Sequence, residues 1–160
     1  MAGLEDLYRE IILDHYRAPR NRGELAVPPA HRVEGFNPLC GDEVVLFLEV
    51  EHGLVSDLKI AGQGCSISQA STSMMSAAVK GKSVAEARTI TRAFKALMSI
   101  HESKIGGDGE DVEVADELEG VRLGDLEALQ GVVKFPVRIK CATLAWNTLT
   151  QGLDEIESPK

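Results

Sequence analysis

Residues 44–62 read VVLFLEVEHGLVSDLKIAG. The first seven are apolar except Glu49 and include three β-branched valines, EHG is a turn, and the last nine alternate partly between apolar and polar. The pattern predicts a β-hairpin. Just upstream, HRVEGFNP at residues 31–38 reads as a third strand leading into the link that holds Cys40.

Helical periodicity surrounds this hairpin. LEDLYREIILDHYR, from residue 4, puts Leu4, Leu7, Tyr8, Ile11, Ile12 and His15 on one stripe, and Pro19 and Gly23 then end the helix. After Gly62 and Gly64 break the strand, Cys65 opens a stretch of small residues with Ile67, Ala70, Met74 and Ala77 at helical spacing. Ser83 with Glu86 has the spacing of a capping box, and the helix it starts turns Val84, Ala87, Ile90, Phe94, Leu97 and Met98 inward. LGDLEALQGV offers a short helix, and Pro136 suits the first position of a closing amphipathic helix. The expected class is α+β, a small antiparallel sheet of about three strands covered by helices.

The chain of 160 residues suits a single domain, residues 1–160, with a core of its own. No apolar run is long enough to cross a bilayer, and MAGLEDLYRE lacks the basic start and apolar stretch of a secretory signal, so the expected location is cytoplasmic, with no membrane partner. A net charge of −8 argues against nucleic acid. All of the excess lies in residues 101–127, which hold ten Asp or Glu against two Lys or Arg. Such a run is ordinarily a solvated face; its sharper reading is a docking surface for a basic partner.

There are three cysteines, Cys40, Cys65 and Cys141. An odd count in a reducing compartment is no disulfide framework. Any one thiol taken alone is most simply a small core residue. Each of these, however, has a turned or thiolate-favouring setting. Cys40 lies in NPLCGD between Pro38 and Gly41, Cys65 follows GQG at a helix start, and Cys141 has Lys140 and Arg138 beside it. The spacings of 25 and 76 residues match no zinc-finger pattern. Asp42 adds to the signal. In an extended segment Cys40 and Asp42 project to the same side and reach one metal together; the plainer role for Asp42 is a turn residue. Three thiolates and a carboxylate suit Zn²⁺, and the carboxylate departs from the all-Cys/His shell of closed structural sites.

NPLCGD, GQGCSISQASTSMM and FPVRIKCATLAW, with the N-terminal LYREIILDHYRAPRNRG, together resemble the U-type iron–sulfur cluster assembly proteins over nearly the whole chain. The scaffold branch of that family has a histidine immediately before its third motif cysteine, where this chain has Lys140, and it lacks an acidic insertion such as the one at about 103–127. Both departures resemble the SufU-like branch. The resemblance implies a SufU/IscU-like fold, zinc held by Cys40, Asp42, Cys65 and Cys141, and Cys40 as acceptor of persulfide sulfur from a PLP-dependent cysteine desulfurase that serves iron–sulfur cluster biogenesis. Downstream assembly machinery is the further partner implied, and Arg138 is implied in docking or activation. The expected device is a ligand exchange in which the docked desulfurase displaces Cys40 from the ion. Two rivals stand beside this reading. One is a scaffold building a transient [2Fe–2S] cluster on the same cysteines; the other is an interaction protein with a purely structural zinc.

Overall fold

The computed structural model describes residues 4–27, 29–106 and 124–157. The elements run α1 (Leu4–Arg17), β1 (His31–Asn37), β2 (Asp42–Glu51), β3 (Leu54–Gln63), α2 (Ser66–Val79), α3 (Val84–Gly106), a 3₁₀ segment (Gly124–Lys134) and α4 (Pro136–Glu157). The expected α+β class and its three strands are present. The short helix expected near 123–132 runs as the 3₁₀ segment and contributes Leu126, Ala128, Leu129 and Val132 to the core. Most of the acidic insertion, residues 107–123, lies outside the described residues.

The sheet is antiparallel in the order β1-β2-β3, with Asn37 opposite Asp42 and Val44 opposite Gly62. Val44, Leu46 and Leu48 alternate inward along β2. On β3 the buried residues are Val55, Leu58 and Ile60, a spacing that simple alternation forbids. The cause is a bulge. Glu49 and Val50 of β2 face Asp57 and Val55 of β3, which leaves Ser56 as an extra residue and returns Val55 to the core face.

The helices cover that face. α4 packs over β1 and β2, and α2 packs over β3 and against α1 and α4. Trp146 stacks on Phe94 with ring centroids 4.9 Å apart, and its indole N–H donates to Ser71 Oγ at 3.2 Å. The Ser71 hydroxyl in turn donates to the Ala142 carbonyl at 2.5 Å, so the polar tip of the tryptophan is satisfied inside the core. The Ser83 hydroxyl caps α3 by accepting the Glu86 N–H at 3.0 Å. Tyr8, Ile11 and Ile12 of α1 pack on the core, and His15 is buried at 2.8 Å from Ser73 Oγ. Ala77, placed on the α2 stripe by its spacing, is exposed. Among the described residues, no helix is long and apolar enough to cross a membrane.

This arrangement brings three segments to one end of the sheet. The β1–β2 turn, the start of α2 and the second turn of α4 meet there, each carrying one cysteine.

Candidate metal centre

Cys40 is held in the tight connection at residues 38–41 that joins β1 to β2. Gly41 supplies the reversal with φ +68°, a left-handed conformation that glycine adopts without a Cβ penalty. Asp42 is the first residue of β2 and is completely buried. The sequence placed these two side chains together through the pleat of an extended strand. The structure brings them together through the turn instead.

Cys141 lies in α4, fully buried, with its sulfur 3.3 Å from that of Cys40. One ligand atom each from Cys40, Asp42 and Cys141 falls within 4.8 Å of the others. Cys65 stands at the edge of this group as the N-cap of α2, its sulfur accepting the Ser68 N–H at 3.4 Å. Its own N–H donates to Asp42 Oδ1 at 2.9 Å. This contact requires the chains to touch at Gly64, where a Cβ would sit 2.5 Å from the same oxygen. The glycine before Cys65 is therefore a condition for the Asp42 contact.

One residue of the site escaped the sequence reading. Asn37, buried at the end of β1, donates its amide to Asp42 Oδ2 at 3.3 Å and to Cys141 Sγ at 3.7 Å, and its Oδ1 accepts the Leu39 N–H at 3.3 Å. It ties the turn, the carboxylate and the α4 sulfur together. Its place in the quoted NPLCGD motif was the available signal. An asparagine before a proline reads as turn chemistry, and a partner 104 residues away leaves no local trace.

The charges are arranged around the sulfurs. Burial pushes the Cys141 thiol upward, and hydrogen bonding to Asp42, Cys40 and Cys65 adds to the shift. The exposed Arg138 guanidinium faces Cys65 and Cys141, and its electrostatic and hydrogen-bonding contact with those sulfurs raises its own pKa. A cleft of about 720 Å³ opens beside Cys65 and Arg138, between α1, the start of α2 and the 3₁₀ segment, with Tyr8, Ile12 and Phe135 on its walls.

The donor set fits a divalent, thiophilic ion. Tetrahedral coordination at about 2.0–2.3 Å places ligand atoms about 3.3–3.8 Å apart, within small side-chain adjustments of the separations here. Two hydrogen bonds already orient the Asp42 carboxylate, as outer-shell partners do in metal sites. Among the described residues no histidine joins this group; His31, for example, pairs with Glu155 at 2.6 Å on the surface.

The family described as the NifU-like N-terminal domain matches residues 7–158. The zinc-dependent sulfurtransferase SufU of Bacillus subtilis is 42% identical over 156 residues, covering 98% of this chain and 95% of that protein. The iron–sulfur cluster assembly scaffold protein IscU of Streptococcus pyogenes is 37% identical, covering 96% of this chain and 86% of its own. Among solved structures, a putative iron–sulfur cluster assembly scaffold protein for the SUF system from Fervidobacterium islandicum superposes with a TM-score of 0.71 at 32% identity, over 94% of this chain and 99% of that one.

Proposed function

The chain belongs to the NifU-like N-terminal domain family, and from that premise we propose that it is a zinc-dependent sulfur acceptor for iron–sulfur cluster biogenesis, loaded by a PLP-dependent cysteine desulfurase in the cytoplasm. One observation carries the reading: Cys40, Asp42 and Cys141 present three ligand atoms within 4.8 Å, with Cys65 beside them. The likeness to the Bacillus SufU supports the choice of zinc and of sulfur transfer.

Cys40, Asp42, Cys65 and Cys141 are the residues that hold zinc in this reading. Bound zinc favours the deprotonated thiols and shields them from oxidation. The four groups differ in freedom. Asp42 and Cys141 are buried and hydrogen-bonded, whereas Cys40 sits half-exposed on a turn beside Gly41. Cys40 is accordingly the acceptor. Its thiolate attacks the outer sulfur of the donor's persulfide; the donor's S–S bond breaks, its cysteine leaves as thiolate, and Cys40 carries the persulfide. Arg138, facing the sulfurs from outside, attracts the anionic donor. Phe36 and Leu39, next to the Cys40 turn, and Phe135 and Val137, at the start of α4, are large exposed apolar residues that suit a partner's apolar face. The downstream recipients belong to the same assembly machinery. The chain is read as one domain with the acidic insertion at about 103–127, and its net charge of −8 keeps nucleic acid out of the list of partners.

The test is desulfurase turnover measured with wild-type, metal-stripped and Cys40→Ala protein side by side. Wild type accelerates turnover, and the other two do not. Full acceleration by Cys40→Ala rejects the acceptor role. The scaffold reading, favoured by the 37% likeness to an IscU, is separated by metal analysis of protein purified without reconstitution. Zinc at one per chain supports transfer, and iron with inorganic sulfide supports the scaffold.

A further inference from the structure

The buried face of α2 is unusually polar, with Ser68, Ser71, Thr72, Ser73 and Ser76 all inside. Four of the five hydroxyls are accounted for. Ser71 Oγ bridges Trp146 and the Ala142 carbonyl. Thr72 donates to the Ser68 carbonyl at 2.7 Å, Ser76 donates to the Ser73 carbonyl at 2.7 Å, and Ser73 Oγ accepts the Arg20 N–H at 2.8 Å. Ser68 is the exception. It is fully buried, and its Oγ has no hydrogen-bond partner among the described residues.

The position explains why. Cys65-x-x-Ser68 has the spacing of a capping box, and half of that box is made, because Cys65 Sγ accepts the Ser68 N–H at 3.4 Å. The reciprocal half joins the third-position side chain to the N-cap N–H. Here Asp42 Oδ1 has already taken the Cys65 N–H, at 2.9 Å. The other default, the carbonyl four residues back that Thr72 and Thr91 use, belongs for Ser68 to Gly64, which precedes the helix. Solvent is excluded. A buried hydroxyl left unmade costs stability, so its persistence needs an acceptor. The Cys65 sulfur already lies against this residue, accepting its N–H at 3.4 Å.

We propose that Ser68 is a positioning residue of the metal centre, its hydroxyl donating to the Cys65 sulfur when that sulfur is deprotonated and bound to zinc. One residue then gives two donors to one ligand atom, N–H and O–H. The consequence is a division of labour between the thiolates. The Cys65 sulfur has its charge drawn off by fixed donors and is the ligand that stays. Cys40, on its turn, keeps its nucleophilic lone pairs. This inference rests on zinc binding at Cys65.

The experiment compares wild type with Ser68→Ala and Ser71→Ala. Zinc affinity is measured by competition with a chelating dye, and melting is followed for the metal-free and zinc-loaded chains. Ser68→Ala removes an unpaired hydroxyl from the metal-free protein, so its melting temperature stays the same or rises, while zinc affinity falls about tenfold, in line with loss of an outer-shell partner. Ser71→Ala, which breaks bonds made in both states, lowers the two melting temperatures together. A second readout replaces zinc with Co²⁺; loss of an O–H donor to a bound thiolate moves the sulfur-to-cobalt charge-transfer band to longer wavelength in Ser68→Ala. Unchanged zinc affinity with an unmoved band overturns the role of Ser68 and leaves the metal centre standing. A Ser68→Ala chain that melts lower in both states overturns it too, because the hydroxyl is then structural. Wild type that takes up no zinc sinks the metal reading itself.

Discussion

Two halves of the candidate centre are built differently. Asp42 and Cys141 sit at 0% exposure, one at the start of a strand and the other inside a helix, with Asn37 bonded to both. Cys40 sits on a turn whose neighbours Leu39 and Gly41 are exposed, Leu39 at 66%. The sulfurs of Cys40 and Cys141 are 3.3 Å apart, yet one is fixed by regular structure on all sides and the other by a single short turn. A centre that must keep its ion while presenting a sulfur to another protein needs this inequality. Uniformly rigid ligands give a structural site, and uniformly loose ones lose the metal.

The largest expected effect lies on the rigid half. Asp42→Ala removes a ligand and orphans the Cys65 N–H. Zinc affinity should fall by at least about 100-fold, more than an outer-shell loss produces, and unfolding free energy should fall by about 1–3 kcal/mol. On the turn half, Cys40→Ser should lower zinc affinity by less than Asp42→Ala does, because the remaining three ligands stay in place. Chelator competition on the two variants measures the contrast, and equal losses break it.

The pH dependence follows from Cys141. Burial holds its proton on. Below its raised pKa, metal can bind only by expelling that proton, so affinity must rise with pH. The expected gain is about tenfold per pH unit for this thiol, read by repeating the competition at two pH values one unit apart. A flat profile contradicts a buried thiol among the ligands.

Smaller effects sharpen the picture of the turn. Gly41 has φ +68° with nothing within 4 Å of where a Cβ would sit, so Gly41→Ala meets backbone strain without a clash. Denaturant unfolding should show a loss of about 1 kcal/mol. Leu39→Ala should change stability by less than about 0.5 kcal/mol, yet raise the desulfurase concentration needed for half-maximal stimulation. An unchanged concentration removes Leu39 from the docking face.

The sequence made the framework readable wherever the physics is local. The hairpin at 44–62 announced itself by composition and turn, and the Ser83 cap and Pro136 helix start by their fixed offsets. The bulge at Ser56 showed only as imperfect alternation, because an extra residue changes facing without changing composition. At the site, the four side chains singled out in sequence lie at one end of the sheet. What stayed hidden depends on contacts between distant segments. Asn37 matters through a sulfur 104 residues away, and Ser68 loses one partner to Asp42, from another element, which holds the N–H of Cys65.

The central claim is that the half-exposed member of the centre, Cys40, is where sulfur arrives. Wild-type protein loaded with zinc should be incubated with a cysteine desulfurase and L-cysteine, alkylated without reduction, digested and weighed by mass spectrometry. The account predicts one added sulfur atom on the peptide carrying Cys40, and none on those carrying Cys65 or Cys141. Sulfur on either of the other two peptides, with Cys40 unmodified, contradicts it.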